Sequence, residues 1–174
     1  VEGWFAANLF FVGPANTPGT VQFIGIEAAD TNDFFFNAAS PFGPQTGTNG
    51  TWAAPAGPTV NVVLNPGLLN FSFTSTEGGG TSIANGANSL IAPRFFISFP
   101  PFLDTTIDGA HPSGGVQAII AFDDGGGGPD DDFDDFVVLL TVSDGTLSVP
   151  APASLLLMGM GLLGLGFAAR RRAA

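Results

Sequence analysis

The chain contains no cysteine, no lysine and no tyrosine, has one histidine, and carries almost no positive charge outside its last five residues. Without cysteine there is no disulfide, so stability must come from a packed core, from bound cations or from neighbouring proteins. Thiolate, Schiff-base and phenol chemistry are closed by the same absences. A zinc site of the usual His/Cys kind needs more ligands than His111 alone. His111 precedes Pro112 in a glycine-rich stretch that reads as a loop, and no Gly-x-Ser-x-Gly elbow exists to supply a nucleophile. Paired carboxylates for glycoside hydrolysis would have to come from Glu2, Glu27, Glu77 or an aspartate cluster, and nothing in their spacing recommends them. The reading is of a protein without catalytic activity.

Charge narrows the partners. Residues 1–149 hold all 15 acids against the single Arg94, a formal charge of about −14. Nucleic-acid affinity comes mainly from Lys and Arg contacts to phosphate, so DNA and RNA are excluded as partners. The chain starts Val1-Glu2-Gly3-Trp4, with neither Met nor a basic-then-apolar leader. The expectation is that a secretory signal peptide has been removed.

What is present is glycine, proline and phenylalanine. The 25 glycines and 14 prolines are scattered every few positions through the outer part of the chain, which excludes long helices there. Between them lie short runs rich in Phe, Val, Ile and Thr: Leu9 to Val12, Thr20 to Ile26, Asp33 to Phe36, Thr59 to Leu64, Leu69 to Thr74, Phe95 to Phe99, Val116 to Phe122 and Phe136 to Val142. Such spacing predicts an all-β fold, a jelly-roll-like β-sandwich. Asn70 to Thr74 and Val21-Gln22-Phe23 alternate apolar with polar, as half-buried strands do. Val116 to Phe122 and Phe136 to Leu140 are continuously apolar and read as central strands. Thr46 to Pro58 and Gly78-Gly79-Gly80 read as surface loops, and Ser143 to Ser148 as a turn followed by a short stalk. Most of the 18 phenylalanines are expected to fill the core. Adjacent rings on a strand point to opposite faces, however, so Phe34-Phe35-Phe36 and Phe95-Phe96 are a candidate partner surface.

The strongest chemical feature is Phe122-Asp123-Asp124-Gly-Gly-Gly-Gly-Pro129-Asp130-Asp131-Asp132-Phe133-Asp134-Asp135-Phe136, in which seven carboxylates fall within 13 residues between two apolar strands. Left bare, these groups repel and oppose closure of the loop; a hard cation taking six to eight oxygen ligands turns that repulsion into binding. Calcium is the natural candidate cofactor, with Asp123, Asp124, Asp130, Asp132, Asp134 and Asp135 as candidate ligands. A solvated acidic loop that keeps the protein soluble is the competing reading. Asp130-x-Asp132-x-Asp134 begins like an EF-hand, but the sixth position is Asp135 instead of Gly and the twelfth Thr141 instead of Glu, so it is not one.

The tail runs from Val149 through Pro150, Ala151, Pro152, Ala153 and Ser154 into Leu155 to Ala169 and ends on Arg170-Arg171-Arg172-Ala-Ala174. Nothing between Ala151 and Ala169 is ionisable, and as a helix those residues would cover about 30 Å, the hydrocarbon thickness of a membrane. Arginines stay on the cytoplasmic side, which puts the preceding domain outside that membrane. Gly159, Gly161, Gly164 and Gly166 form no Gly-x-x-x-Gly, so helix pairing is only weakly signalled.

This tail resembles the PEP-CTERM sorting signal of Gram-negative bacteria: Val149, Pro150, Pro152, Ser154 and the closing Arg170, Arg171 and Arg172 fall where that signal has them, with Ala151 where it has Glu. The acidic hairpin, from Ala118 to Leu140, resembles one found in the same proteins and in related exported calcium-dependent β domains. Gly19 to Phe34 is similar to a further segment of theirs, with its Lys and Tyr lost. The resemblance implies a location and an architecture: a domain over residues 1–146, a linker with the proline motif over 147–154, and a transmembrane helix with its arginine cluster over 155–174. It implies a non-catalytic structural or interaction protein anchored in the bacterial inner membrane, with its main domain periplasmic or released to the surface after processing. Its partners would be the membrane and other envelope proteins. Two alternatives stand beside it: an accessory subunit of a multi-subunit photosynthetic or respiratory complex, and an exopolysaccharide-associated glycan-binding module.

Overall fold

A computed structural model describes residues 3–54, 57–77, 80–88, 94–100, 113–125 and 133–150. The apolar runs between the glycines and prolines form strands: β1 (Trp4–Phe5), β2 (Phe10–Val12), β3 (Thr17–Gly25), β4 (Thr31–Phe36), β5 (Gln45–Thr46), β6 (Thr59–Leu64), β7 (Gly67–Leu68), β8 (Phe71–Ser75), β9 (Thr81–Ala84), β10 (Phe95–Ser98), β11 (Gly114–Gly115), β12 (Gln117–Phe122), β13 (Phe136–Val142) and β14 (Thr146–Ser148). All pairings among them are antiparallel. They make a six-stranded sheet ordered β1-β10-β12-β13-β3-β6 and two four-stranded sheets, β11-β14-β2-β7 and β5-β4-β8-β9. The two most apolar strands, β12 and β13, take the middle of the largest sheet, where one face is buried in the core and the other is partly covered.

Register explains the core. Phe95, Phe122 and Phe136 are aligned across three strands, and Ile97, Ile120, Val138 and Phe23 across four. Because side chains alternate with period two, this alignment puts every one of them on a single face. On the facing sheet Phe34 lies opposite Phe73 and Phe36 opposite Phe71. The two faces meet ring to ring: Phe73 stacks on Phe122 at 4.8 Å and 2°, lies 6.1 Å from Phe136, and Phe71 meets Phe95 edge-on at 5.4 Å. The result is a β-sandwich-like, all-β arrangement around one large apolar cluster, to which Phe11 and Leu147 of the β11-β14-β2-β7 sheet, and Leu9 just before β2, also belong. Asn85 joins the two small sheets. Its Nδ2 donates to the carbonyls of Leu9 at 2.7 Å and Leu69 at 2.8 Å, and its Oδ1 accepts from the Leu9 N–H at 2.9 Å.

Thr146 to Ser148 departs from the expected stalk. It is a strand paired on both sides, by β11 and β2, and Leu147 and Val149 are buried in the core. The apolar residues at 147 and 149 share one face, so pairing buries both, and the folded unit runs past 146 to Val149. The turn before this strand needs Gly145, whose φ is +77° and where a Cβ would come 2.6 Å from the Val12 carbonyl. The tail beyond Pro150, with Pro152, Ser154 and Arg170 to Arg172, lies outside the described residues. Among the described residues no helix is long and apolar enough to cross a membrane.

Candidate metal centre

One end of the phenylalanine core is closed by polar groups, and parity on the strands puts them there. On β4, Asn32 is two and four residues from the core rings Phe34 and Phe36; on β8, Ser75 follows Phe71 and Phe73 at the same interval. Asn32 and Ser75 are directly paired and both buried. Across from them, β12 runs out into Asp123 and Asp124, and Asp135 leads into β13.

The acidic groups converge. Asp123, Asp124 and Asp135 each bring a carboxylate oxygen to within 4.8 Å of the others, although Asp123 is 0% and Asp124 8% exposed. Asn32 Nδ2 donates to Asp124 Oδ2 at 2.9 Å and to the Asp135 carbonyl at 3.3 Å. The Asp124 N–H donates to Asp135 Oδ2 at 2.8 Å, and Ser75 Oγ reaches Asp124 Oδ2 at 3.4 Å. Arg94, the cation of the outer domain, donates from Nη1 to the Asp124 carbonyl, while its own carbonyl accepts from the Asp123 N–H at 2.8 Å. Burial pushes the Asp135 carboxyl up to about 7, and the negative charges of Asp124 and Asp123 push the same way.

Phe133 holds the returning limb of the hairpin. Its φ is +58°, a left-handed backbone that a bulky residue adopts at a cost of about 1 kcal/mol or more. The ring offsets this by packing at 5.3 Å from Phe5 and 5.5 Å from Phe96 on the outer face of the large sheet. The next residue, Asp134, accepts from the Glu27 N–H through its carbonyl at 3.0 Å, which ties the hairpin to the end of β3.

Outside this knot the space widens into a cavity of about 130 Å³ lined by Asp30, Asn49, Glu77, Asp124 and Asp135 with Ala28, Ala29 and Gly125. Asp30 is held by Thr76, whose Oγ1 donates to Asp30 Oδ1 at 3.2 Å, and the Glu77 N–H donates to Ser75 Oγ at 3.0 Å. The donors are hard oxygens on several separate segments, the set that suits a calcium ion and not a soft transition metal.

Of the six candidate ligands, Asp123, Asp124 and Asp135 are brought together, and Asp134 is not one of that group. Asp130 and Asp132 lie outside the described residues, as does His111. The candidate partner surface needs correction. Phe34, Phe36 and Phe95 are buried in the core at 0%, 4% and 0% exposure, because Phe34 and Phe36 on the four-stranded sheet and Phe95 on the six-stranded one lie on the faces that meet. Phe96 does face outward, yet Phe5 and Phe133 cover it. Phe35 alone of the five remains half-buried on an outer face, beside Asn70, Ser72 and Thr74. No sequence motif marks Asn32, Ser75, Asp30 or Asn49 as part of this site, and Glu77 is legible in the sequence only as an isolated carboxylate without catalytic spacing. For Asn32 and Ser75 a signal existed: a polar residue at a core-facing position in a run of alternating phenylalanines.

The fold and the site together define a β-sandwich-like domain with a polar, carboxylate-rich end. Residues 148–172 match the PEP-CTERM protein-sorting motif. The chain carries that motif, the mark of a protein exported across the membrane to the cell envelope. No curated protein matches the chain. Among solved structures it is similar to the C-terminal domain of BC2L-C lectin from Burkholderia cenocepacia, at 18% identity and a TM-score of 0.41, over 80% of this chain and 97% of that one; a likeness this slight carries no argument about function.

Proposed function

We propose that this is a non-catalytic structural or interaction protein of the bacterial envelope: a jelly-roll-like domain outside the inner membrane, held there by a single C-terminal helix and stabilised by calcium at the acidic hairpin. The observation that carries the calcium reading is the convergence of the Asp123, Asp124 and Asp135 carboxylates at the buried end of the core. Like charges at that spacing destabilise an ion-free fold, and a divalent cation removes the penalty. A site with affinity typical of extracellular modules, saturated about 100-fold over its Kd, stabilises by about 2.7 kcal/mol.

Thermal unfolding of the full chain in mild detergent, with calcium and then with excess chelator, tests this reading. The melting temperature is expected to fall by about 5–10 °C on chelation, given about 2–4 °C per kcal/mol for a chain of this length. A melting temperature that ignores calcium would refute it. Intact mass of the protein from native membranes tests the anchor: a mass retaining residues 149–174 supports it, and one ending near the proline motif means a sorted, released protein.

A further inference from the structure

We propose that the cation bound at this site is an inter-sheet clip, ligated by Asp30 and Glu77 of the β4-β8 layer as well as by Asp124 and Asp135 of the hairpin; this rests on the calcium reading above and extends it. The four residues line one cavity of about 130 Å³. They come from opposite layers of the sandwich: the hairpin joins β12 to β13 of the six-stranded sheet, whereas Asp30 immediately precedes β4 and Glu77 follows β8.

Carboxylates alone would not establish a site, since acidic groups gather on many surfaces without an ion. Asn32 supplies the independent observation. It is 0% exposed, and its amide is fixed against the cluster by donation to Asp124 Oδ2 and the Asp135 carbonyl. Its Oδ1, on the same planar amide, is buried and has no hydrogen-bond partner among the described residues. Leaving such a buried oxygen without a donor is unfavourable. Its immediate partners, Asp124 and the Asp135 carbonyl, are acceptors, and beyond the Arg94 guanidinium on the Asp124 carbonyl no basic side chain among the described residues offsets the carboxylates. A hard cation provides positive charge, directly or by polarising a bridging water.

The ligand set also favours calcium over magnesium. The donors sit on separate connections that adjust independently, which suits an ion tolerating six to eight oxygens in irregular geometry, whereas magnesium demands a near-ideal octahedron and keeps its waters.

The test is calorimetric titration of calcium chloride into the chelator-treated full chain in detergent, comparing wild type with Asp30→Asn, Glu77→Gln and Asp124→Asn. Asp30→Asn and Glu77→Gln are each expected to weaken calcium affinity at least tenfold without lowering the calcium-free melting temperature, since each removes a repelling charge. If Asp124→Asn abolishes binding but Asp30→Asn and Glu77→Gln keep the wild-type affinity within twofold, the ion belongs to the hairpin alone: the clip is overturned and the calcium reading survives. If wild type binds no calcium, both fall.

Discussion

Replacing Phe73 by alanine tests the architecture at its centre. The ring is fully buried and lies among five others: Phe122 at 4.8 Å, Phe34 at 5.0 Å, Phe136 at 6.1 Å, and Phe71 and Phe95 both at 6.2 Å. Truncating a buried phenylalanine costs about 3–5 kcal/mol through lost transfer energy and the cavity left behind. Its neighbours come from both layers and cannot collapse into the space without separating strands, which favours the upper end of that range. Loss of the stacked pair with Phe122 adds about 0.5–1.5 kcal/mol. The expectation is a loss of about 4–6 kcal/mol, or about 8–24 °C in melting temperature. Phe35→Ala is the control, because Phe35 sits in the adjacent register pair, opposite Ser72, on the outer face, and its removal opens no internal cavity. It should cost less than about 1 kcal/mol. Denaturant unfolding at constant detergent, followed by circular dichroism, reads both; Phe73→Leu serves as a milder variant where the alanine form does not fold. Equal costs for Phe73→Ala and Phe35→Ala would refute the assignment of faces and with it the two-layer packing.

Two further outcomes follow from buried polar groups. Asn85→Ala removes three hydrogen bonds at once and leaves the Leu9 N–H and the Leu9 and Leu69 carbonyls without their partner, so unfolding free energy should drop by about 2–4 kcal/mol; a drop below about 1 kcal/mol would show that water replaces the amide. In chelator, the carboxyl of Asp135, raised from 3.8 to about 7 mainly by burial, keeps a proton in the fold that the unfolded chain has released. Its contribution is therefore full below about pH 4 and lost as pH rises through about 7, so the melting temperature should fall across that window, and Asp135→Asn should flatten the slope. Saturating calcium should oppose the trend, since the metal requires the deprotonated carboxylate. A pH-independent melt in chelator would overturn this assignment.

Eight strands were legible in the sequence because apolar runs between glycines and prolines are local signals, and β6 and β13 match their predicted bounds residue for residue. The short strands β1, β5, β7 and β11 carry only two residues each, too few for any period to show. β14 was hidden for another reason: Thr146-Leu147-Ser148 looks like spacer until β2 and β11 pair with it on either side. The phenylalanine pairs show the same boundary. Alternation says that Phe34 and Phe35 face opposite ways, but which of them faces the core depends on where the six-stranded sheet packs.

The sequence by itself determined the all-β character, the sorting motif of the tail and the presence of a dense acidic hairpin, since each is written in contiguous residues. Only the tertiary structure decided that Asp30, Asn32, Ser75 and Glu77 join that hairpin. They are brought to it from 46 to 105 positions away along the chain by the packing of one sheet on another, and residues that distant share no local pattern.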